Sequence, residues 1–227
     1  MKPFKPLLPI TLLAVLAVGA FSLHNITPPL AFADSSASTS TKIGPPKVAK
    51  AGQQTATFAA GCFWSMEAIF SQLKGVASVE PGYSGGKLKN PTYEQVEQAN
   101  TGHAETVNII FDPKVITYKD LLDVLLTVRN PTTQDQQGPD VGPQYRSVIF
   151  ARDAGQKKEA QDAIKRIRAA HLWDAPIVTQ VAPYSKFYRA EDYHLNYYNL
   201  HPQQGYCAAV VAPEIAEFRE KFKSKLK

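Results

Sequence analysis

The sequence predicts an α+β protein: a ferredoxin-like two-layer sandwich with a split βαβ core, an extra helix and strand, and a long irregular C-terminal segment. Three observations predict it. Short apolar or alternating stretches interleave with two amphipathic stripes in the order β-α-β-β-α-β. Turn residues or prolines close several of the segments. No internal repeat or heptad run competes with this order, and 227 residues are enough to bury one good core.

The elements follow in order. "TATFAA" is a short strand, and Met66, Ile69, Phe70 and Leu73 then form a helical stripe. "GVASVEPGYSGG" is a strand ending in turn residues, and "AETVNIIFDP" is a strand stopped by Pro113. "TYKDLLDVLLTVRNP" is a helix, opened by Thr117 with Asp120 three positions on and closed by Pro131. "QYRSVIFA" is the next strand. Asp153 caps a helix expected to reach about Leu172, burying Ala160, Ile164, Ile167 and Ala170 or His171. "PIVTQVAP" supplies one more strand. An aromatic-rich, partly helical stretch then runs to Cys207, and a last short helix follows Pro213.

Ahead of this domain, expected over residues 55–227, lies a different composition. Lys2 and Lys5 precede an uncharged, mostly apolar run from Leu7 to Leu23, and Ala31-Phe32-Ala33 has the small residues a signal peptidase reads. Residues 1–33 are therefore expected to be a cleaved signal peptide or, since the run has the length to span a bilayer, a membrane anchor. Both place the domain outside the cytoplasm, periplasmic or otherwise exported. Residues 34–54, rich in Ser, Thr, Ala, Pro and Lys, have too little apolar area to order themselves and read as a disordered linker.

The net charge of +5 does not point to nucleic acid. Without Lys2 and Lys5, 23 basic residues face 20 acidic ones, and the excess gathers in the solvated tail "REKFKSKLK". No metal site is expected from His103, His171, His194 and His201, which lack zinc-ligand spacing. Nor is there a phosphate-binding glycine loop.

The chain's two cysteines, Cys62 and Cys207, are too few for a disulfide framework and have no CxxC spacing. They read either as chemistry or as one long staple worth about 4 to 5 kcal/mol. Cys62 sits between a strand and a helix, after Gly61, which permits a tight turn or close approach by a substrate. Free N–H groups and the positive end of the dipole at a helix start favour a thiolate, so an activated nucleophile is expected. Phe63 and Trp64 follow at once. A helix does not bury three successive residues on one face, so at least one of them should reach a surface or pocket.

The stretch "GCFWSMEAIF" resembles the signature of the A-type peptide methionine sulfoxide reductases, which usually reads GCFW followed by glycine; Ser65 departs from it. The likeness continues in order through "PGYSGG", "NPTYEQV", "TGHAETVNIIFDP", "RNPTTQDQQGPDVGPQYRSVIF" and "KFYRAEDYHLNYY". It implies reduction of methionine S-sulfoxide, free or in oxidised proteins, by a monomeric enzyme with no bound cofactor. Cys62 would attack the sulfoxide sulfur. Glu105 would be protonated and hydrogen-bonded to the oxygen, with Tyr93, Tyr145 and Asp140 beside it, and Phe63 and Trp64 would hold the methyl group. The resulting sulfenic acid would condense with Cys207, leaving a disulfide for an external thioredoxin-like dithiol. Two rivals are a stapled binding domain and a thiol peroxidase or disulfide oxidoreductase.

Overall fold

The computed structural model describes residues 44–227. The leader expected over residues 1–33 and the front of the linker lie outside the described residues. The linker's last part, residues 44–53, has no helix or strand, but it lies on the domain: the Lys47 backbone N–H donates to Glu80 Oε2 at 2.7 Å.

The protein is mixed α/β. Strand β1 (Gln54–Ala59) leads to helix α1 (Phe63–Phe70), strand β2 (Val76–Ser84), a short helix α2 (Tyr93–Glu97) and strand β3 (Ala104–Phe111). Helix α3 (Tyr118–Val128), the two-residue strands β4 (Gln136–Gln137) and β5 (Asp140–Val141), and strand β6 (Val148–Ala151) follow. Helix α4 (Ala154–Ala169), strands β7 (Gln180–Pro183) and β8 (Phe187–Arg189), and helices α5 (Tyr197–Leu200) and α6 (Ala212–Lys221) complete the chain.

One six-stranded sheet has the order β7-β6-β1-β3-β2-β8. β3 lies between β1 and β2, antiparallel to both and buried along its whole length. Its register sets Glu105 opposite Tyr83 and Val107 opposite Phe58. β7 adds a parallel edge beside β6, and β8 an antiparallel edge beside β2.

Alternation along β1 divides the interior. Ala56 and Phe58 join the main core with Met66, Ile69 and Phe70 of α1, Leu121, Leu122 and Leu125 of α3, and Ile215 and Phe218 of α6. Ala59 faces a smaller cluster with Ala104, Val148 and Phe150. α3 starts as expected: Thr117 Oγ1 accepts the Asp120 N–H, and the Asp120 carboxylate accepts the Thr117 N–H. In α4 the buried stripe is Gln156, Ala160, Ala163 and Ile167. Ile164 is half-buried, while Ala170 and His171 are exposed, so the expected stripe turns about the helix axis and ends a turn sooner.

Candidate active site

Cys62 occupies the N-cap of α1, where its carbonyl accepts the Met66 N–H at 3.3 Å. The preceding turn depends on Gly61, whose φ of +78° is rare for residues with a Cβ. The close approach to Gly61 is made by the protein itself. A Cβ there would lie 2.4 Å from Arg129 Nη2 and 2.5 Å from Gln137 Cγ. Arg129 is 1% exposed; its Nε donates to the Ala60 carbonyl at 2.8 Å, and its Nη1 pairs with Glu214 of α6 at 2.5 Å. The Gly61 N–H donates to the Tyr145 carbonyl at 3.0 Å, which ties the nucleophile turn to the segment before β6. Ser65, at the position of the departure noted above, is buried within a regular first turn.

Six of the other seven residues singled out from the sequence are tied to Cys62 directly or through a shared contact. Glu105, 2% exposed, accepts the Phe63 N–H on Oε2 at 2.8 Å. Burial pushes its carboxyl well above the ordinary range, and the nearby Glu97 adds to the rise. Asp140 Oδ2 accepts the Tyr206 hydroxyl at 2.6 Å, and that hydroxyl also bears on the Cys62 sulfur. The Phe63 ring lies 6.4 Å from those of Trp64 and Tyr93, 5.9 Å from Tyr83 and 4.9 Å from His194. Tyr145 donates its hydroxyl to Glu97, at 3.1 Å from Oε2. Burial raises the Tyr93 and Tyr145 phenols, so both remain proton donors at neutral pH. Trp64 is half-buried between Tyr197, stacked at 3.8 Å and 9°, and the edge of Tyr206 at 6.0 Å.

The structure corrects the expected resting thiolate. Burial above all pushes the Cys62 thiol well above its ordinary value, and any negative charge on Glu105 or Asp140 adds to the rise. The Trp64 N–H and the Tyr206 hydroxyl oppose this without reversing it. The helix start therefore positions a neutral thiol, and any thiolate must form as a proton leaves during the reaction.

Cys207 is buried and, like Cys62, a free cysteine. It opens a π-helical turn, Cys207–Val211, that runs into α6. Its neighbour Tyr206 reaches Asp140, so the two cysteine-bearing segments meet through Tyr206.

Four residues not assigned to the site from the sequence also contribute to it. Glu191, 7% exposed, accepts the Tyr83 hydroxyl and the Tyr93 N–H, each at 2.9 Å. His194 Nδ1 accepts from Trp64 Nε1 at 3.1 Å. Burial lowers this imidazole to about 3, so it stays neutral and able to accept. Tyr206 and Tyr197 complete the set. These residues lie up to 144 positions from Cys62 with no spacing that marks them; an aromatic-rich segment was the one available signal.

A sequence profile described as "Peptide methionine sulfoxide reductase" matches residues 54–226. A protein of Polynucleobacter asymbioticus named peptide methionine sulfoxide reductase MsrA is 50% identical over 171 residues, covering 75% of this chain and 90% of that protein. One of the same name from Deinococcus radiodurans is 46% identical over 177 residues, covering 78% and 86%. Among solved structures, reduced Mxr1 of Saccharomyces cerevisiae matches with a TM-score of 0.65 and 31% identity, covering 71% of this chain and 92% of that one. Methionine sulfoxide reductase A of Corynebacterium diphtheriae matches with 0.63 and 31%, covering 70% and 80%.

Proposed function

This chain belongs to the peptide methionine sulfoxide reductase family, and we propose that Cys62 and Glu105 carry its reaction on methionine S-sulfoxide. The observation that carries the assignment is the short bridge between them: the Glu105 carboxylate holds the N–H of Phe63, the residue after Cys62. Strand order β6-β1-β3-β2, antiparallel throughout, supports the finer reading of the core as a split βαβ sandwich.

A sulfoxide presents a polar oxygen and an apolar methyl on one pyramidal sulfur. The site offers a partner for each. Glu105, kept protonated by burial, donates to the oxygen together with the Tyr93 hydroxyl, and the Tyr145 hydroxyl joins them by turning from Glu97 to the substrate. Phe63 and Trp64 supply an aromatic wall for the methyl. Fixing both groups relative to Cys62 exposes one face of sulfur, which selects the S epimer.

The proton balance follows from the neutral thiol. As the Cys62 sulfur attacks, Glu105 gives its proton to the sulfoxide oxygen, and the thiol proton restores the carboxyl. The hydroxyl then passes between the sulfurs: a Cys62 S–O bond forms as the S–O bond and the transient S–S bond to the methionine sulfur break, so methionine leaves as the thioether and Cys62 becomes a sulfenic acid. Cys207 then displaces that oxygen as water, forming a disulfide. A thioredoxin-like dithiol reduces the disulfide, becoming oxidised itself. Turnover of S- and R-sulfoxide peptides by wild type and Cys62→Ser tests the assignment, with S-specific turnover expected in wild type and none in the variant.

A further inference from the structure

We propose that Glu67 is a positioning residue for the sulfoxide-methyl wall, setting substrate affinity by holding the turn at Asn196 that lays Tyr197 against Trp64. The proposal rests on the reading of Trp64 as that wall.

Glu67 lies three residues after Trp64 in α1 and is 8% exposed. A carboxyl group so placed is expensive to bury and needs partners. Its Oε2 accepts the Asn196 N–H at 2.8 Å, and the Tyr197 N–H also bears on it. Asn196 has the left-handed backbone (φ 55°, ψ 29°), and Tyr197 begins the right-handed turn of α5. A left-handed residue beside a right-handed one aims consecutive N–H groups into a single concavity that favours an anion. The Glu67 carboxylate fills it. The same turn sets the Tyr197 ring parallel to the Trp64 indole at 3.8 Å, while His194, two residues before Asn196, holds the indole N–H. The indole is thus fixed through its face and its edge by one segment, and Glu67 ties that segment to α1.

This tie titrates near neutrality. Burial raises Glu67 to about 7, against the pull of the Asn196 N–H and Lys47 and with a further push from Glu80 of β2. Glu80 is itself bound to the Lys47 N–H and paired with Arg189 of β8. Ionisable groups on the other elements packed against α1 have partners of their own: Glu105 of β3 at Phe63, and on α6 Glu214 at Arg129, Glu217 at Lys221 and Arg219 at Gln72. His194 stays neutral across this range. Protonation would remove the charge from the concavity and loosen the turn, so affinity should fall as pH falls through about 7.

The test compares full-length wild type, Glu67→Gln, Tyr197→Ala and the double variant on an S-sulfoxide peptide. Glu67→Gln should raise KM about tenfold, as expected for a weakened charge-assisted bond, with the single-turnover rate at saturation changed less than about twofold. Wild-type KM should rise between pH 8 and pH 6, and KM of Glu67→Gln should stay flat. Glu67→Gln should add nothing to Tyr197→Ala, because both act on one contact. An unchanged KM, additive effects, or a fall in rate without a change in KM would each overturn the proposal. Should the variants fail to fold, Trp173→Phe leaves Trp64 as the one indole of the described domain, and its emission without substrate should titrate near 7. A flat signal also overturns the proposal. Absence of S-sulfoxide turnover by wild type would defeat the functional reading instead, and the emission would still report on the wall.

Discussion

Glu105 Oε2 accepts the Phe63 N–H at 2.8 Å, so the proposed acid is bonded to the first turn of the helix that Cys62 caps. Acid and nucleophile are thereby placed by one local contact between β3 and α1. Both groups are also buried, which raises each of them and favours its protonated form.

Glu105→Gln should keep the Phe63 contact through its amide oxygen while losing the transferable proton. Single-turnover reduction of an S-sulfoxide peptide is expected to slow by about 10² to 10⁴-fold. Stability should move the other way. The folded-state value of Glu105 is raised, so the native protein holds its proton more tightly than the unfolded chain does. Stability is then lost as pH rises from the ordinary value of 4.5 toward the raised one. The variant should melt above wild type at pH 8, and the gap should close toward pH 4.5. Calorimetry at both pH values checks this.

Cys207→Ser should release one methionine per enzyme and then stop with a thioredoxin-like reductant, while a small thiol restores cycling. Repeated thioredoxin-driven turnover would remove Cys207 from the mechanism. A quenched-flow count of methionine per enzyme decides it.

Gly61→Ala places a Cβ 2.4 Å from Arg129 Nη2 at a φ of +78°. Loss of about 1 to 3 kcal/mol is expected from strained backbone alone, with a slower Cys62 reaction as the turn shifts. Denaturant unfolding and thiol-alkylation rates would report the two effects.

Arg129→Met removes a buried guanidinium that bonds the Ala60 carbonyl and pairs with Glu214. Leaving Glu214 and the carbonyl without it should cost about 3 kcal/mol. Arg129→Lys should recover part of this, since it keeps the charge and loses the forked geometry. Urea unfolding of the three proteins ranks them.

What the sequence made legible was local. Alternation in "AETVNIIF", the Thr117-to-Asp120 capping pair and the Asp153 cap each produce the structure they predict, because each signal lies within a few residues of its effect. The site residues were reached through a family likeness, and Glu105, Phe63, Trp64, Tyr93, Asp140 and Tyr145 do converge about Cys62. The thiolate was misjudged because a helix start reveals the dipole but not the burial that opposes it. Arg129, Glu67 and Glu191 were invisible for a similar reason: a buried charge is indistinguishable from a solvated one until its distant partners are placed.

The central claim is that Cys62 takes the oxygen of an S-sulfoxide while Glu105 supplies the proton. The most direct measurement mixes reduced full-length protein with S- or R-sulfoxide peptide without reductant, then quantifies methionine and maps the cysteines by mass spectrometry. The account predicts one methionine per protein from the S epimer, none from the R epimer, and a Cys62–Cys207 disulfide in the product. Methionine formed from the R epimer, or formed while Cys62 remains a free thiol, would contradict it.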